Sequence, residues 1–151
     1  MKKQVGQWEM NKGIMVATML AALIPGLAIA GDSPAPDNAK AYFIWPGNGT
    51  TIKGGKFWAR FGMRNMGIAP AGVEKKFTGH HHLIIDAELP PFDEEIPADR
   101  NYVHYGKGYS EGRVKLPPGK HTLQLVFADH EHIVHNPPVF SKKITVYVPA
   151  N

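Results

Sequence analysis

The chain of 151 residues contains no cysteine. Disulfides, thiolate ligands and a cysteine nucleophile are thereby excluded, and any folded part must be held by packing alone. A marked excess of one charge is missing too. Lys2, Lys3, Lys12 and Glu9 belong to a leader, and the remainder from Gly31 carries 14 basic and 12 acidic residues. So even a balance gives no reason to expect a nucleic acid or a membrane surface as partner. No phosphate-cradling loop occurs, since "GNG" and "GKG" fall at turns. Ser110 and Ser141 lie in no nucleophile motif, and the acids of "FDEEIPAD" have no recognisable paired spacing. Hydrolysis would need a metal ion with an open coordination position, and a non-enzymatic protein is expected.

Long apolar runs are scarce. The principal one, Ile14 to Ile24, is broken only by Thr18, follows the three lysines and ends at Pro25-Gly26, ahead of Ala28-Ile29-Ala30. A positive start, a short apolar middle and an A-x-A end are the parts of a secretory signal peptide. Residues 1–30 read as that signal, with Met10 an alternative start, and cleavage after Ala30 implies a periplasmic protein. Retention of the leader would instead leave a membrane-anchored one. Residues 31–39, GDSPAPDNA, read as a flexible tether, and 40–149 as one folded domain.

Helical periodicity is absent beyond Ala30. Short runs alternate instead: Phe57, Ala59, Phe61 and Met63 share one face of "KFWARFGM", and Leu123, Leu125 and Phe127 one face of "HTLQLVFA". In "SKKITVYV" the inward set is Ile144, Val146 and Val148. Turn signals between such runs predict an all-β, Ig-like antiparallel sandwich of about seven to eight short strands. Two long connections, 64–79 and 87–100, interrupt it. The second carries five acids and reads as a solvated crossover between sheets.

Against these absences, eight histidines stand out, six of them in two groups of three. "TGHHHLIID" holds His80, His81 and His82, and "ADHEHIVHNPP" holds His130, His132 and His135. Strand alternation puts His81 with Leu83 and Ile85 toward the core, and His80 and His82 on the other face. Side chains two apart on a strand stand about 6–7 Å from one another, a spacing that lets two imidazoles reach one ion at about 2 Å each. His104, in "YVHYGKGY", adds a further nitrogen. Neutral imidazole suits copper, zinc and nickel. The expected ligands are therefore His80, His82, His104, His130, His132 and His135 at a strand-end rim, with copper first and zinc second. Met63 and Met66 could lend thioethers to Cu(I), although Met63 falls on the apolar face. Structural roles are expected for His81, Asp129 and His121. The last follows "LPPG", where Ig-like domains often carry a tyrosine bonded back to its turn. A histidine hydrogen-bond network and a pH-responsive surface are the alternatives to a metal site.

"WPGNGTTI", "FGMRNMGIAPAG", "TGHHHLIID", "LPPFDEEIPAD", "HYGKG", "LPPGKHTLQLVFADHEHIVHNPPV" and "SKKITV" together resemble the DUF4399 family of bacterial exported domains. The resemblance runs from about Tyr42 to Val148. Its motif positions here are His80, His81, His82, His104, His121, Asp129, His130 and His135. It implies an exported Ig-like domain and carries no established activity. "WPGNGTTI" is also similar to the opening strand of CopC-type periplasmic copper-binding sandwiches, but the N-terminal histidine of that type is absent. The rival to a metal carrier is an accessory or structural subunit of a membrane or periplasmic complex.

Overall fold

A computed structural model describes residues 31–150, so the signal-peptide expectation, on residues 1–30, lies outside the described residues. Nine strands are formed among them: β1 (Lys40–Trp45), β2 (Thr50–Thr51), β3 (Lys56–Arg64), β4 (Gly67–Ile68), β5 (Thr78–Ile85), β6 (Tyr102–His104), β7 (Glu111–Lys115), β8 (Gly119–Ala128) and β9 (Ile144–Val148). No described helix is long and apolar enough to cross a membrane.

The strands make two sheets. The smaller has the order β1-β3-β7, and the larger β2-β9-β8-β5-β4 with β6 also paired to β5. The expected all-β sandwich is therefore present. Its pairing is antiparallel except for two short parallel contacts, β2 with β9 and β4 with β5. Between the sheets lies the main core, built from the alternating sets read from the sequence. Phe57, Ala59 and Phe61 from β3 meet Leu83 from β5 and Leu123, Leu125 and Phe127 from β8. Met63 and Met66 pack against this core as partly buried side chains.

The larger sheet is also covered on its second face around β5 and the end of β8. Ile84, Val126, Ala128, Val134 and Ile96 form a second apolar cluster there, with Ala87, Leu89 and Phe92 against it. The acidic connection is thus not a solvated crossover. Its acids point outward, while Leu89, Phe92 and Ile96 turn in and roof the sheet, because β5 and β8 offer apolar side chains on both faces.

Within the stretch read as a tether, residues 31–35 pair with the chain at residues 134–136. Gly31 N donates to Val134 O (3.0 Å), Ala35 N to Asn136 O (2.9 Å), and Asn136 N to Ser33 O (2.9 Å). The chain is pinned there because its backbone finds a ready strand-like edge at residues 134–136, and Ala35 is buried by the contact.

Candidate metal centre

The centre lies under that second layer, on β5. Alternation aims His80 and His82 away from the main core, beside Ile84, and both are wholly buried. Gly79 just before them permits the close approach of β5 to β8, since a Cβ there would strike the carbonyl of Ala128. Strand β6 pairs His104 opposite His82, and the two rings stack with centroids 4.9 Å apart and planes 27° from parallel. Gly106 makes room for this ring: a Cβ at that position would collide with the His104 imidazole.

The fourth ring comes from the end of β8, where the chain turns. Asp129 Oδ1 accepts hydrogen bonds from Glu131 N (2.9 Å) and Ile133 N (3.0 Å). His132, inside this turn, has φ of 68°, a left-handed conformation that histidine adopts more readily than most non-glycine residues. The turn swings His132 over β5, so its Nε2 lies 3.2 Å from His104 Nε2. His104 Nε2 lies 3.2 Å from His80 Nε2, and His82 Nε2 lies 3.0 Å from the same atom.

Three ring nitrogens thus converge, with a fourth at their edge. One ring nitrogen of each of His80, His104 and His132 lies within 4.8 Å of those of the other two, and His82 joins at the His80 edge. Nitrogens about 2.0–2.1 Å from one tetrahedral ion stand about 3.3 Å apart, which the 3.2 Å spacings of His104 Nε2 to His80 and His132 approach, while His82 touches only the His80 edge of this set of three. Electrostatics favour neutral rings. Burial, then the neighbouring His104 and His132, push His80 down to about 3, while the Asp129 charge opposes the shift. Burial, then His80, His104 and His132, push His82 down to about 2. Burial and His132 lower His104 as well. Neutral imidazole is the form that ligates.

Around the rings the support is uneven. Glu95 Oε1 stands 3.6 Å from His132 Nδ1. That is too long for a hydrogen bond, yet it favours a proton on Nδ1 and a lone pair on Nε2. The Nδ1 atoms of His80 and His82 are buried without a partner, so either tautomer of those rings leaves a polar atom unmet.

The remaining histidines stand elsewhere. His81 faces the main core between Phe61 and Phe127, with ring centroids 5.4 and 5.0 Å away. Burial pushes it down to about 4, opposed by the backbone of Gly62 and Tyr109, although neither ring nitrogen has a partner of good geometry. His121 Nδ1 meets Asp86 Oδ2 at 2.6 Å and its Nε2 meets Pro117 O at 2.9 Å, which ties it to its own turn.

Two of the expected ligands are not in the cluster. His135 is buried on Phe127 and faces the carbonyls of Phe127 (3.3 Å) and Thr78 (3.1 Å) with its two ring nitrogens. His130 lines a separate cavity of about 300 Å³ with Lys75, Phe77 and Asp129. The turn at Asp129 breaks the strand period that would have put His130 beside His132. The cluster is also sealed at His80 and His82 rather than set on an open rim, with His104 its exposed member.

Residues 59–149 match the family model described as "Domain of unknown function (DUF4399)", and the chain belongs to that family. No curated protein and no solved structure matches it. The matched range leaves out "WPGNGTTI", and the likeness of that stretch to copper-binding sandwiches gains no support.

Proposed function

We propose that this domain is an exported, non-enzymatic binding protein that holds one transition-metal ion, copper first and zinc second, between His80, His82, His104 and His132. The observation that carries this is the convergence of the ring nitrogens of His80, His104 and His132, all within 4.8 Å of one another, with His82 Nε2 3.0 Å from His80 Nε2. Lone pairs brought that close in a buried site repel unless a proton or a cation lies between them, and burial disfavours the protonated form. An all-nitrogen set suits Cu(II) and Zn(II), and the general order of site affinities favours copper. The test is calorimetric titration of tag-free protein with Cu(II) and with Zn(II). One tight site is expected, lost in His80→Ala with His82→Ala. His135→Ala should bind as wild type does while melting lower.

The same distances fit hydrogen bonds between rings, and this favours a second reading. In it, the histidines brace β5, β6 and the Asp129 turn in an accessory subunit of a membrane or periplasmic complex. A protein that melts normally but takes up neither ion would decide for it. Export predicts that protein from a native-type host starts at Gly31. Intact mass checks this, and full-length chain in the membrane fraction would count against it.

A further inference from the structure

The nearly even charge of the chain hides a segregation. The outer face of the small sheet β1-β3-β7 is not roofed as the large sheet is. The register sets Lys56 opposite Lys115, Trp58 opposite Arg113, and Arg60 opposite Glu111, all exposed. On β1, Lys40 stands opposite Arg64. Lys40, Lys56, Arg60, Arg64, Arg113 and Lys115 thus put six of the 14 cations beyond Gly31 on one face, against a single acid, Glu111. That acid lies beside Arg60 (3.5 Å) and offsets one charge.

The face also carries exposed apolar side chains, Trp58 on the central strand β3 and Ile44 and Trp45 at the bulge of the edge strand β1. Trp58 is 50% exposed, Ile44 60% and Trp45 38%. Trp58 separates two shallow grooves, one of about 360 Å³ walled by Lys56, Arg113 and Lys115, the other of about 400 Å³ walled by Trp45 and Arg60. Indole rings and an isoleucine standing proud of a sheet, ringed by lysine and arginine, have the composition of surfaces that settle into the headgroup layer of a bilayer. Aliphatic exposure at Ile44 is of little use to a phosphate polymer but gains from contact with acyl chains. We propose that this face docks on a membrane rich in anionic headgroups, with Trp45 and Trp58 at the interface and the basic ring on lipid phosphates. The histidine cluster, on the far side of the other sheet, would then face away from the lipid.

Sedimentation of the full chain with vesicles tests this. The probe is phosphatidylcholine alone against phosphatidylcholine with about one third phosphatidylglycerol, the anionic leaflet being the source of attraction. The leader and its lysines are common to every sample, so the quantity read is the difference in anionic increment between wild type and variant. Wild type should partition about tenfold better onto the anionic vesicles, and about 0.5 M salt should remove most of that gain. Arg113→Glu with Lys115→Glu should reduce it severalfold with metal uptake unchanged. Should that variant misfold, Lys56→Gln with Lys115→Gln, which only removes charge, should reduce the gain severalfold. An anionic increment equal in wild type and a folded variant overturns the proposal. So does tighter binding of this face to heparin or a single-stranded oligonucleotide than to vesicles, which would make it a polyanion site.

Discussion

Ser33 Oγ donates a 2.6 Å hydrogen bond to Asp129 Oδ2 across 96 positions of sequence. The other carboxylate oxygen caps the turn that carries His132. Burial pulls Asp129 up, but the bonds from Ser33, Ile133 N and Glu131 N outweigh it and hold the carboxyl below its usual range. The pinned N-terminal stretch and the candidate ligand therefore share one carboxylate.

Asp129→Ala removes no ligand but frees the left-handed turn at His132. Metal affinity should fall about 10–100-fold, the usual effect of losing a group that orients a ligand. Stability should fall by about 1–3 kcal/mol for the unmade bonds. Ser33→Ala should do the same more weakly. Titration and thermal melting on the same samples check both. Affinity unchanged in a destabilised Asp129→Ala protein would show that His132 does not depend on the turn.

Gly106→Ala tests the cluster from the other side. The glycine is not in a left-handed conformation, so alanine suits the backbone, and the clash falls on the His104 ring alone. The ring must swing away. Melting should change by less than about 1 kcal/mol, as for an ordinary surface change, while affinity drops at least about tenfold.

His121 should prove purely structural. Burial lowers its pKa, but the Asp86 carboxylate and Pro117 carbonyl more than compensate, and the net shift is upward. A raised folded pKa means stability that is fully present below about 6.5 and is lost as pH rises through the folded value. His121→Ala should cost about 1–3 kcal/mol at pH 6 and less at pH 9, with metal affinity unaltered. Chemical denaturation at the two pH values measures it.

Acid should unfold the metal-free domain. His80, His81 and His82 are held at about 3, 4 and 2, below the unfolded value near 6.5. The unfolded chain therefore gains protons first as pH falls, and stability present above about 6.5 declines below it. Each such histidine contributes a slope of about 1.4 kcal/mol per pH unit. Three together should bring a marginally stable domain to unfolding between about pH 6 and 4. Circular dichroism with a chelator present would follow this, and saturating Zn(II) should move the midpoint to lower pH.

The sequence made the main core legible, because Leu83, Ile85, Leu123, Leu125 and Phe127 alternate cleanly. The second core was written there too. "LIID" and "LQLVFA" are near-continuous apolar runs, which signals burial on both faces, and reading only one face left Ile96 and Phe92 in a solvated loop. The i, i+2 spacing correctly put His80 and His82 on one side of β5. It could not rank His130 against His132, because a turn fixed by the Asp129 side chain has no period. His104 joins through the pairing of β6 with β5, which no local pattern announces. His135 was indistinguishable by residue type from a ligand, and its neighbours, the carbonyls of Thr78 and Phe127, come from distant strands.

The unequal exposure of the four rings sets how such an ion could leave. His80 and His82 are closed off by the second layer, and His104 stands at the surface. Exchange would then proceed at one vertex, an incoming donor taking the place of His104 before the inner nitrogens let go. If the proposed ion is held this way, it would pass to an acceptor that reaches in without being a free ion in solution. The speed of transfer would follow the acceptor's concentration and not the slow opening of the buried end.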